Sequence, residues 1–128
     1  MHFGEHLMID GYNGDATLLD NQELVLNSLQ ELVAKLGMKK VAEPVIYRAE
    51  PNGGKDPGGW SGFVVIMESH ISIHTFPDRR FLSADVYTCK NGLDTEAVIT
   101  YLKERFKLEN LEVNFVKRGT KYPTQNLV

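Results

Sequence analysis

The sequence predicts an α+β domain: a two-layer α/β sandwich, with an antiparallel sheet carrying two main helices on one face. Three observations lead there. Two amphipathic helical segments each stand beside strand-like runs. Between them lies a series of short β-type segments with no helix among them. The length, 128 residues at 42% hydrophobic, suits a single domain with one core.

Residues 6–12, "HLMIDGY", alternate weakly and run into a Gly/Asn/Gly/Asp cluster, the mark of a strand entering a turn. In residues 18–38, Leu24, Leu29, Leu32, Val33 and Leu36 recur at helical spacing. Asp20 or Asn21 can cap that helix, and Gly37 can end it. Residues 39–50 read as extended, and Pro44 suits an edge strand or a bulge. The stretch "EPNGGKDPGGW", residues 50–60, packs four Gly and two Pro into eleven residues and is a loop. Three β-type runs follow, "SGFVVIM", "HISIHTF" and "FLSADVYTC". Residues 94–106 form the second helix, capped by Asp94 or Thr95, with Ala97, Val98, Leu102 and Phe106 as its buried stripe. The closing strand, "LEVNFVKRG", points Leu111, Val113 and Phe115 inward. The predicted order is β-α-β-β-β-β-α-β.

The bulk numbers exclude several function classes. Fourteen Lys and Arg against seventeen Asp and Glu give a net charge of −3, with no basic cluster for a nucleic-acid surface. No apolar span approaches the length a bilayer needs, so no membrane partner is expected. The first ten residues lack the basic and apolar regions of a signal peptide. Cys89 is the only cysteine, so no internal disulfide can form, which fits a reducing, cytoplasmic setting.

The chemistry concentrates in "MESHISIHTFPD", residues 67–78. In an extended chain Ser69, Ile71, Ile73 and Thr75 share one face, and His70, Ser72 and His74 the other. A solvated polar face would account for the ladder. A zinc site would not: four residues along a strand separate His70 from His74 by about 13 Å, and no third ligand is near. A Ser–His–acid hydrolase would need a nucleophile elbow that "ESH" does not provide. The Glu68–Ser69 pair admits another reaction. A serine hydroxyl can attack the carbonyl before it, turn the amide into an ester, and by β-elimination leave a pyruvoyl group on the downstream half. Such a group forms a Schiff base with a substrate amine and withdraws electrons as pyridoxal phosphate does. No Gly-rich phosphate cradle for an imported pyridoxal phosphate is evident.

With "SADVYTC" following "ESHISIHTFPD", the sequence resembles the bacterial and archaeal S-adenosylmethionine decarboxylases, small self-cleaving pyruvoyl enzymes of polyamine (spermidine) synthesis. "GEHLMIDGY" looks like the family's N-terminal strand, and "WSGFVVIMESHISIHTFPD" like its processing segment. The resemblance implies a single domain over residues 1–128, a zymogen cut between Glu68 and Ser69 into a β chain (1–68) and an α chain (69–128). Ser69 becomes the covalent pyruvoyl group, with no metal. His74 and Ser61 match the residues that assist autocatalytic cleavage, and Cys89 the acid that protonates the substrate carbon. Cys89 suits that role because a thiol ordinarily carries a proton it can give up at neutral pH. Asp78 stands where the family has a glutamate that holds the ribose. Glu68, Asp78 and Trp60 are the expected substrate contacts. The family fold is a two-layer sandwich, working as a homodimer of processed protomers with active sites near the interface. A straight strand puts Ser69 and His74 on opposite faces, so the chain either distorts near Ser69 or brings the two together around a strand end.

Two departures bear on the substrate. Ala49 stands where the family has an aromatic ring that stacks on adenine; Trp60 or Tyr47 could replace it. The loop after Ala49 is longer than usual. S-adenosylmethionine is therefore the leading substrate, with L-arginine or L-ornithine as the alternative, and a non-catalytic partner subunit as a third reading. A guanidinium or ammonium pocket would draw on Asp78, Asp85, Asp10 or Glu5.

Overall fold

The computed structural model describes residues 1–127 and bears out the element order. Six strands form one antiparallel sheet in the order β2-β3-β4-β5-β1-β6. They are β1 (Gly4–Tyr12), β2 (Val45–Ala49), β3 (Gly59–Ile66), β4 (Ser69–Phe76), β5 (Phe81–Thr88) and β6 (Asn110–Arg118). Helices α2 (Gln22–Lys35) and α3 (Thr95–Phe106) pack on one face. A four-residue helix, α1 (Ala16–Leu19), was not foreseen: one turn has no periodicity, and only its cap, Asp15 accepting the Leu18 N–H at 3.0 Å, announces it. Asn21 caps α2 through the Leu24 N–H, and Asp94 caps α3 through the Ala97 N–H. Gly37, at φ +65°, follows the end of α2.

Alternation decides the two faces of the sheet. Leu7, Ile9, Val64, Ile71, Ile73, Leu82 and Val86 are buried against Leu29, Leu32, Leu102 and Phe106 of the helices. Among the described residues no helix covers the opposite, open face. It carries His6, Met8 and Asp10 of β1, Ser61, Phe63 and Val65 of β3, His70, Ser72 and His74 of β4, and Ser83, Asp85 and Tyr87 of β5, by the strand register. Val113 and Phe115 share the packed face as expected, yet each stays 42% exposed because β6 is an edge strand.

Candidate active site

The β3–β4 hairpin turns through only Met67 and Glu68, and Ile66 pairs with Ser69 across it. Neither turn residue takes the positive φ that such tight hairpins call for. The strain appears one residue later. Ser69 has φ +151°, whereas the other non-glycine residues at positive φ among those described lie between +52° and +56°. L-residues rarely adopt that region, and holding one there costs about 1–3 kcal/mol. The expected distortion at Ser69 is therefore present, immediately after the Glu68–Ser69 peptide bond.

The Glu68 carbonyl oxygen accepts the Cys89 backbone N–H at 2.9 Å. Cys89 directly follows β5, whose last residue, Thr88, pairs with Ser69. One end of the sheet thus gathers the peptide bond, the Ser69 side chain, a donor on the carbonyl and the Cys89 thiol, which is exposed. The backbone donor was invisible to sequence reasoning, because no side-chain type signals it. Glu68 Oε1 lies 3.5 Å from the Lys39 N–H, at the outer limit of a hydrogen bond.

Ser61 and His74 are brought together as well, but elsewhere. They are cross-strand partners on the open face, with His74 Nδ1 and Ser61 Oγ 2.9 Å apart. That contact orients the imidazole and leaves Nε2 available. Five residues of β4 separate His74 from Ser69, about 17 Å at 3.3 Å per residue. The strand is continuous, so the two do not meet around its end within one chain.

Trp60 lies on the packed face. It is the register partner of Arg48, whose guanidinium stands 5.0 Å from its ring centroid, and its Nε1–H donates to the Asp20 carbonyl at 3.0 Å. It therefore closes the loop over the core, on the side of the sheet opposite Ser61 and His74. Tyr47 is placed otherwise: it pairs with Ser61, shares the open face, and is 63% exposed. Asp78 sits in the one-turn 3-10 segment Pro77–Arg79, beside Thr17, Asp20 and Gln22.

Of the four carboxylates considered for a basic substrate, Asp85 and Glu5 are engaged by other side chains or amides. Asp85 holds His6 Nε2 at 2.9 Å and accepts the Ser72 hydroxyl at 3.3 Å. Glu5 is buried on the packed face, with both oxygens in contact. Asp10 pairs with Ser83 on one side and with Glu112 on the other. Among the described residues no cluster of three or more His, Cys, Asp or Glu could hold a metal, and no helix is long and apolar enough to cross a membrane.

A family model described as S-adenosylmethionine decarboxylase matches residues 5–119. The chain is 33% identical over 116 residues to the "S-adenosylmethionine decarboxylase proenzyme" of Clostridium botulinum strain Langeland, covering 91% of this chain and 94% of that one. The proenzyme of the same name from Acetivibrio thermocellus is 34% identical, with 91% and 88% covered. The crystal structure of the adenosylmethionine decarboxylase from Aquifex aeolicus superposes with a TM-score of 0.78 at 27% identity, covering 92% of each chain.

Proposed function

Since the chain belongs to the S-adenosylmethionine decarboxylase family, we propose that it is a proenzyme that cuts itself between Glu68 and Ser69 and then decarboxylates S-adenosylmethionine. The observation that carries this reading is the strained Ser69 backbone joined to a Glu68 carbonyl already held by the Cys89 N–H. A donor fixed on a carbonyl before it is attacked stabilises the charge that develops there.

The steps balance without an outside reagent other than water. Ser69 Oγ adds to the Glu68 carbonyl carbon, the C–N bond breaks, and the hydroxyl proton ends on the freed amine. An ester then links the two halves. Removal of the Ser69 α-proton expels the Glu68 carboxylate from Cβ and leaves dehydroalanine. Its imine tautomer takes up water, releases ammonia and becomes the pyruvoyl group on residues 69–128. The residues fit such a group: it stays at the head of β4, against Thr88 and Cys89. When present it supplies a carbonyl that condenses with the substrate amine and draws off the electrons left as CO₂ departs. Cys89 is then the proton donor to the substrate carbon.

His74, set by Ser61, is the group that moves protons during processing. Its distance from Ser69 supports a site shared between two copies. Two open faces stacked about a twofold axis near Ser72 would bring His74 and Ser61 of one protomer to Ser69 and Cys89 of the other. Such an interface is self-complementary, and the exposed Phe63 and Val65 suit it. On the same face Tyr47 supplies the ring that Ala49 lacks, and Glu68 lines the substrate end at the β3–β4 turn; Asp78 stands against α1 and the start of α2 instead and is not given the ribose. Trp60 is left to its packing role.

Intact-mass measurement of purified protein tests the reading: two chains, 1–68 and 69–128, are expected, the second blocked by pyruvoyl. A single uncut mass under all conditions would refute it. CO₂ release is then compared for S-adenosylmethionine, arginine and ornithine. Turnover of an amino acid alone would reassign the substrate, while leaving the cleavage chemistry intact.

A further inference from the structure

We propose that Glu5 is a positioning residue: its buried carboxylate clamps the loop after β5 and so keeps the Cys89 N–H aimed at the Glu68 carbonyl. The inference rests on the self-processing reading above and extends it to a residue with no assigned role. Glu5 is 6% exposed on the packed face of β1, and its register partner is Thr88. Its Oε1 accepts two N–H groups, from Gly92 at 3.2 Å and from Leu93 at 3.0 Å, and its Oε2 lies 3.0 Å from His2 Nε2. At the loop's other end the fully buried Thr88 hydroxyl accepts the Lys90 N–H at 2.9 Å. The four residues between Thr88 and Leu93 are thus tied at both ends.

Cys89 has no burial of its own to hold it, being exposed. Its backbone direction is set by these ties and by β1 passing close beneath. A Cβ at Gly4 would stand 2.7 Å from the Thr88 oxygen and 3.4 Å from the Cys89 Cα, so only a glycine lets β1 approach this closely. Hydrogen bonds from N–H groups to an ionised carboxylate are roughly twice as strong as neutral ones. A buried acid accepting two adjacent loop amides therefore fixes the loop more firmly than an apolar side chain could. Hydrogen-bond donors act on a developing oxyanion only when held within a few tenths of an ångström of the right place.

The test compares self-cleavage of the wild-type chain with Glu5→Leu, Glu5→Gln and Leu24→Ala, the last a half-buried position in α2 remote from the loop. Conversion to two chains is followed by intact mass, and melting temperature is measured alongside. Glu5→Leu is expected to cleave about tenfold or more slowly, short of the roughly hundredfold cost of losing an oxyanion donor outright. Glu5→Gln, which keeps an acceptor oxygen, should fall between it and wild type and covers the case in which Glu5→Leu fails to fold. Leu24→Ala should melt earlier yet cleave at the wild-type rate. Glu5 variants that cleave as fast as wild type would overturn the clamp alone, as would equal slowing in Leu24→Ala. An uncut wild-type chain would overturn the processing reading and the clamp with it.

Discussion

His74→Ala should block self-cleavage, and Ser69→Ala should rescue it when the two variants are made together. The reasoning starts from one distance. Along β4, His74 stands about 17 Å from Ser69, whereas a general base must come within about 3 Å of the proton it takes, or act through one water. Within one chain His74 cannot serve its own Ser69; in the proposed pair of stacked chains it would serve its partner's. A positioned imidazole contributes about 10²–10⁴ in rate, so His74→Ala alone should cut at most a hundredth as fast as wild type. A mixed dimer with Ser69→Ala rebuilds one complete site, using the intact His74 of one chain and the intact Ser69 of the other. At equal expression, random pairing puts about half of the His74→Ala chains into mixed dimers. About half of those chains should therefore be cut, and no Ser69→Ala chains. Co-expression with distinguishable tags and intact-mass analysis reads both fractions. Near-normal cleavage by His74→Ala alone would refute the reasoning, as would no cleavage in mixed dimers shown to have formed.

Cys89→Ala keeps the backbone N–H on the Glu68 carbonyl; it should still self-cleave but lose turnover of S-adenosylmethionine, measured as CO₂ release. Tyr47→Ala should raise KM for S-adenosylmethionine about tenfold, the scale of one lost ring stack of about 1–3 kcal/mol, with self-cleavage unchanged. Burial by itself pushes the Glu5 carboxyl up, but the Leu93 N–H, His2 and the Gly92 N–H together hold it below its ordinary value of 4.5. A carboxyl lowered in the folded state adds stability that is full above about pH 4.5 and is lost as pH falls through the folded value. Acid titration of the unfolding free energy should show that loss in wild type and a flatter acid limb in Glu5→Gln.

Much of the fold was legible because its signals are local. Asn21 and Asp94 announce their helices, and the alternation Ile71, Ile73, Thr75 fixes which face of β4 is packed. The long-range facts were not legible. Nothing in "GEHLMID" says that Glu5 will reach across to Gly92 and Leu93, since side-chain type does not encode a partner eighty-seven residues away. As an acidic residue it read equally well as a substrate carboxylate. Trp60 read as a spare ring because the pairing that sets its face, Arg48 with Trp60, depends on the start of β3. The residues proposed for the site were named from the family resemblance that their motifs carry, but neither motif nor spacing could reveal that they divide into two groups at opposite ends of β4.

The strand order would give the proposed cut a lasting mechanical meaning. Residues 1–68 carry β1, β2 and β3; residues 69–127 carry β4, β5 and β6. Yet β1 lies between β5 and β6, and β6 touches the sheet only through β1. Once severed, the two pieces are woven through one another, and neither can leave without opening the ladders β3–β4, β1–β5 and β1–β6. The nicked molecule is a heterodimer by construction: its unfolding becomes a dissociation, and its melting temperature rises with protein concentration where the uncut chain's would not on this account.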